Sequence, residues 1–170
     1  KASFQTPRRL PAETIRDNAL AISGLLVREV GGASVKPYQP AGYYRHLNFP
    51  TRKYAHHKDQ RQWRRGIYVH WQRQFLHPML KAFDAPRREE CTAQRPSSNT
   101  PLAALVLLND PTFVQAADAF AKRILAEGGK STDSRLDFAF RHAVSRKPDD
   151  FERKTLNQLL STEKAWITVA

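Results

Sequence analysis

The chain has 170 residues, enough for one ordinary domain or two very small ones. Its 28 Lys and Arg outnumber 16 Asp and Glu, giving a net charge of +12. With 41% hydrophobic residues it is not a disordered chain, and one cysteine excludes an internal disulfide framework or a cysteine-rich metal site. No apolar run approaches the roughly 18 residues of a membrane span.

The charge is unevenly placed. Residues 1–95 hold 18 basic and 7 acidic side chains, net +11, whereas residues 96–170 hold 10 and 9, net +1. All five tyrosines lie between Tyr38 and Tyr68, and five of the six histidines precede residue 80. The opening, Lys1 to Leu10, carries neither an initiating Met nor a signal-peptide core and reads as the interior of a longer protein.

Along the chain, Pro11 with Glu13 and Asp17 in the following turns announces a helix, whose apolar face would be Ile15, Ala19, Ile22 and Leu26. Gly24 or, at the latest, Gly31-Gly32 ends it. From Gly31 to Trp63 no period survives, and Pro37, Pro40, Gly42 and Pro50 punctuate the stretch. So long a connection, rich in aromatic side chains, reads as an ordered loop draped over the domain. In Arg64 to Phe75, Ile67, Val69 and Trp71 alternate like a strand while Ile67, Trp71 and Phe75 fit a helix; the helix is the preferred reading because no partner strand is evident. A further turn is expected over Pro78 to Phe83, then an irregular polar stretch from Asp84 to Ser98.

The back half is more regular. Asn99 or Thr100 caps a helix opened by Pro101, with Leu102, Leu105, Val106 and Leu108. Asp110 caps a second opened by Pro111, with an inward stripe of Phe113, Ala116, Ala117, Phe120, Ile124 and Leu125, closed by Gly128-Gly129. Ser131 or Thr132 begins a third with Leu136, Phe140 and Val144 inward, and Pro148 a fourth with Phe151, Leu156, Leu159 and Leu160. The expected fold is therefore mainly α: a single domain, 1–170, of about five to seven helices, with a basic, loop-rich portion (1–98) and a four-helix portion (99–170).

Two groups of residues carry candidate chemistry. The first is basic and aromatic: Arg61, Trp63, Arg64, Arg65, Trp71 and Arg73, with Tyr68 nearby and Tyr43, Tyr44, Arg45, Arg52, Lys53 and Tyr54 upstream. Guanidinium forks match sulfate, phosphate or carboxylate, and aromatic faces stack on bases or sugar rings. An anionic ligand surface and a set of internal arginine struts over aromatic surface both fit this composition. The second group is Phe83-Asp84, Arg87, Arg88, Cys91, Arg95 and Asn99. Here an Asp84–Arg88 pair, an Asn99 cap and Arg95 bonded to loop carbonyls would lock the loop, with Asp84, Asn99 and Asp110 as its structural polar motif. The sharper alternatives are an anion site at the Pro101 helix, or an enzyme using Asp84, Cys91 and a histidine. His56-His57 and His70 with His77 lack the spacing and carboxylate of a metal site, so no metal is expected. His142 reads as a surface or packing residue.

Taken in order, these pieces resemble a known family. Arg9-Leu10, Ala12-Glu13, Ile15-Arg16-Asp17, Ser23-Gly24, Gly31-Gly32 and Ser34-Val35 come first, then Arg64 to Tyr68, Trp71 and Arg73, then Pro78 and Phe83 to Pro86. Arg88-Glu89, Cys91, Arg95, Asn99 to Leu102, Ala104-Leu105 and Leu107 to Asp110 complete the match. Together they resemble the C-terminal part of the planctomycete cytochrome-C-associated domain. Three positions depart from it: Ser98 and Ala103 stand where the family usually has Thr and Gln, and Arg87 where a polar or acidic residue is common.

The resemblance implies an exported bacterial protein, periplasmic or at the cell surface, with haem only on an associated cytochrome module and none in this chain. Its partners would be other domains or subunits of that assembly, and its setting implies work on complex, often sulfated, polysaccharides. The leading expectation is a binding or scaffold module presenting Arg61, Arg64, Arg65, Arg73, Arg88, Arg95, Trp63 and Trp71 to an anionic partner. An enzyme acting on polysaccharides is the alternative, and a nucleic-acid-binding domain the third reading.

Overall fold

The computed structural model describes residues 9–45, 53–73, 75–89, 91–163, 166 and 169. Among these are six α-helices: α1 (Ala12–Ser23), α2 (Pro78–Ala82), α3 (Pro101–Asn109), α4 (Pro111–Glu127), α5 (Thr132–Val144) and α6 (Asp150–Glu163). The described residues form no strand, only two isolated parallel bridges, Val27 with Arg64 and Val35 with Val69. The fold is mainly α, as expected.

The helix ends follow from their capping chemistry. Gly24, with φ of 83°, closes α1 in the left-handed conformation that an L side chain adopts only at a cost. The Thr100 hydroxyl receives the Ala103 N–H at the start of α3, and the Asp110 carboxylate receives that of Thr112 at the start of α4. Ser131 does the same for α5 through the N–H of Ser134. At α6, Asp149 and Glu152 exchange backbone N–H groups reciprocally at 2.8 and 2.9 Å, a capping box that the sequence reading had missed in favour of Pro148.

α4 is the central helix, packed against α1, α3 and α5. The larger core joins α1, α2 and the loops around Val35 and Val69 to the starts of α3 and α4, with Phe83 and Phe113 meeting edge to face at 5.8 Å. A smaller cluster of Phe120, Ile124 and Ala139 lies under α5.

Several expected inward faces differ. The fully buried line of α1 is Ala12, Arg16, Leu20 and Ser23, with Ile15, Ala19 and Ile22 only half-buried beside it. A sequence reading places arginine outside by default; here Arg16 is as fully enclosed as Leu20. Leu125, Val144 and Phe151 face solvent, and α3 exposes Leu102, Leu105, Leu107 and Leu108 while burying Ala103.

The Arg64–Phe75 helix is not formed. A short 3-10 turn, Gln60–Trp63, precedes the segment, which itself has one such turn, Gly66–Tyr68, followed by extended chain at Val69. Val35 supplies the partner that the sequence did not reveal: its N–H donates to the Tyr68 carbonyl at 2.8 Å, and the His70 N–H donates to the Val35 carbonyl at 2.7 Å. The loop reading of 31–63 holds for its described part, with Tyr54 and Tyr43 donating hydroxyl hydrogen bonds to the Pro37 and Leu76 carbonyls. Arg52 and Pro50 lie outside the described residues.

Candidate functional site

The arginine-rich segment divides into side chains that hold the fold together and side chains that face outward. Arg64 is buried. Its guanidinium donates to the carbonyls of Ala33 at 3.0 Å, Glu29 at 3.2 Å and Gly31, and its face covers the Tyr68 ring at 4.1 Å. The Tyr68 hydroxyl in turn accepts the Gly31 N–H at 2.8 Å. Arg64 thus closes the Glu29–Ala33 turn from inside.

Arg16, from α1, reaches the carbonyls of Arg64 at 2.6 Å and Gln62 at 2.5 Å. Burial lowers its pKa to about 10, with Asp17 opposing the shift from 3.6 Å away. The Asp17 carboxylate accepts the Gly66 N–H at 2.6 Å. Burial pushes this carboxyl up from its ordinary value, while the Gly66 hydrogen bond and then Arg16 pull it down. Gly66 is required here, because a Cβ would stand 2.9 Å from the Glu13 Cβ and 3.0 Å from its Cα.

The outward set is different. Arg61 is exposed and forks onto Asp59, whose carboxyl it holds down at about 2. Arg65 and Arg73 are exposed, Arg73 reaching the Glu89 carbonyl at 3.5 Å. Trp63 and Trp71 are half-buried, and each has an indole N–H that is enclosed without a hydrogen-bond partner among the described residues. Arg88 is exposed and lies over the Trp71 ring at 4.2 Å, with a left-handed φ of 62°.

The polar motif after Phe83 is a clasp. Asp84 accepts the Ser98 N–H at 2.7 Å and the Ser98 hydroxyl at 2.8 and 2.9 Å, and Arg9 donates to it at 3.3 Å. Chiefly the two Ser98 hydrogen bonds hold its carboxyl below the ordinary value. Asp84 therefore pairs with Arg9 and Ser98, not with the expected Arg88. Arg95 pairs with Glu13 at 3.0 Å rather than with loop carbonyls, and the cap of α3 is Thr100, leaving Asn99 exposed. The Ser98 hydroxyl on Asp84 is one that a threonine could also supply, and Ala103 lies in the apolar core, where a glutamine amide would need partners.

Two clefts flank the clasp and share Asp84, Ala85 and Pro96. One, about 350 Å³, is bordered by Arg9, Pro11, Phe83 and Arg95; the other, about 500 Å³, by Lys81, Arg87, Arg88 and Glu89. Neither is lined by Cys91 or a histidine, so the grouping that an Asp84–Cys91–His enzyme would need is not assembled in them. Sequence reasoning does not join Arg9 and Ser98 to Asp84, since they lie 75 and 14 residues from it and follow no period.

The histidines have other occupations. His57 exchanges hydrogen bonds with the Lys36 backbone, His56 meets Tyr38 edge to face, and His77 is buried with its Nε2–H donating to the Tyr38 carbonyl at 2.6 Å. His142, on the exposed side of α5, lies over Phe138. Among the described residues no group of three or more His, Cys, Asp or Glu could hold a metal ion, and no helix is long and apolar enough to cross a membrane.

A mainly helical domain with an arginine-braced, loop-built front half defines the class of structure. The chain belongs to the family PSD1, protein of unknown function (DUF1553), whose family model matches residues 2–160. No curated protein and no solved structure matches it.

Proposed function

We propose that this chain is a binding or scaffold module of an extracytoplasmic, cytochrome-associated protein, and that its basic aromatic face engages an anionic polysaccharide, sulfated glycans first. In this reading haem belongs to an associated module, and the chain contributes recognition rather than chemistry. The reading rests foremost on Arg88 over Trp71 at 4.2 Å. The ring occupies the flat face of the guanidinium and leaves its N–H edges for an oxyanion, which is how arginine combines stacking with bidentate recognition. Exposed Arg65, Arg73 and Arg87 add outward charge, and none of the three forms an ion pair with a described residue. Arg64 belongs to the interior of the same region and supports the surface instead of forming it.

Calorimetric titration with dextran sulfate and with uncharged dextran tests the proposal. Dextran sulfate should bind, dextran should not, and Arg65→Ala with Arg73→Ala should weaken binding about tenfold. Equal indifference to both polymers would overturn the reading. Tighter binding to DNA or RNA, with a steep salt dependence, would replace it by the nucleic-acid alternative, and preference for an acidic protein surface would replace the glycan by a partner subunit.

A further inference from the structure

The two clefts beside the Asp84 clasp look alike in composition but differ in charge. In the smaller, both arginines are engaged: Arg9 with Asp84 at 3.3 Å and Arg95 with Glu13 at 3.0 Å. In the larger, Lys81, Arg87 and Arg88 are all exposed, and none forms an ion pair with a described residue. Asp84 does not offset them, since its oxygens are taken by Ser98 and its charge is met by Arg9 on the far side. Glu89 is the other acidic residue of the lining. Three cations against one carboxylate leave a local charge of about +2.

We propose that this larger cleft is an oxyanion subsite that takes sulfate or phosphate ester groups carrying about two negative charges in total. Its volume of about 500 Å³ lies within the range of small-ligand sites. The cations come from two different supports. Lys81 projects from the last turn of α2, whereas Arg87 and Arg88 follow Pro86 in the loop. Arg88 is held by its stack on Trp71 and by a left-handed backbone, a conformation that a non-glycine residue keeps only where its surroundings enforce it. Asp84, at φ of 58°, anchors the other end of the same turn. The loop is therefore fixed before a ligand arrives, which removes part of the ordering cost of binding.

The inference deepens the polysaccharide reading by naming where its anionic groups sit, and the test separates the two. The probe is inorganic sulfate, added to the full chain at constant ionic strength against sodium chloride, with the arginine Nε–H signals followed by NMR. Arg87 and Arg88 should move saturably while Arg65 does not. Lys81→Gln with Arg87→Gln, both exposed, should leave the thermal midpoint unchanged and weaken sulfate binding about tenfold or more. Uniform, non-saturating shifts of all exposed arginines would overturn the subsite. Dextran sulfate binding that survives the double substitution unchanged would overturn it too, while leaving the general reading intact. Saturable sulfate binding without any polymer binding would support the subsite and overturn the general reading. Glucose 6-sulfate and glucose 6-phosphate then distinguish the ester, and preference for either supports the cleft.

Discussion

The front and back of this molecule are built by different rules. The back half, α3 to α6, is held by end caps on Thr100, Asp110, Ser131 and Asp149 and by α4 at its centre. The front half has α1, the short α2 and a long irregular chain whose shape is fixed by arginine side chains bonded to backbone carbonyls. A helix satisfies its own backbone groups, but an irregular buried chain cannot, so it recruits donors from elsewhere. Arginine, with five donors in a fixed fork, can serve several carbonyls at once. The basic composition of the front half thus has two origins, and only the exposed part of it is available to a ligand.

Substitutions can break or sharpen that contrast. The largest effect is expected at Arg16: Arg16→Met keeps the length but leaves the carbonyls of Gln62 and Arg64 unpaired in the interior, and should cost about 3–5 kcal/mol in urea unfolding. A loss below about 1 kcal/mol would show that the carbonyls find other partners. Gly66→Ala forces a methyl against Glu13 of α1 and should cost about 2 kcal/mol. In the back half, Ser131→Ala removes one cap and should cost only about 1 kcal/mol.

A pH titration adds a signature of the front. Burial, with a smaller push from Arg16, lowers the His77 pKa against the pull of the Tyr38 hydrogen bond and of Asp110. The unfolded chain therefore takes up the proton first. Stability should be full above the ordinary histidine value of about 6.5, then decline as the pH falls from there towards the lower folded value. His77→Gln should flatten that decline in denaturation measured across this window. The smallest effect is reserved for Arg65→Ala, expected within about 0.5 kcal/mol of the parent; a loss comparable to that of Arg16→Met would erase the distinction between braces and surface.

The same contrast explains what the sequence could convey. Proline after a capping side chain, apolar residues three and four apart and paired glycines mark α3, α4 and α5, because those signals depend on neighbours a few residues away. Arg16 was unreadable as an interior residue, since its partners lie 46 and 48 positions downstream. The misreading of Arg64 to Phe75 has the same origin: Val35, which turns that segment into extended chain, is 34 positions before Val69. At the clasp, the sequence picks out Asp84 but not its partners, since Asp84 meets Ser98 and Arg9 instead of its near neighbour Arg88.

Arg16 also governs how the molecule comes apart. Its two carbonyl bonds close loops of 46 and 48 residues, and tethering the ends of such a loop carries an entropic penalty that grows only slowly with its length. If the Gln62–Gly66 segment lifted away alone, it would strand a bare guanidinium against the apolar side of α1. That penalty discourages piecemeal opening, so α1 and the segment form one cooperative unit, and the amides of Gly66 and Val69 should exchange with solvent deuterium at the same free energy as those in the middle of α1.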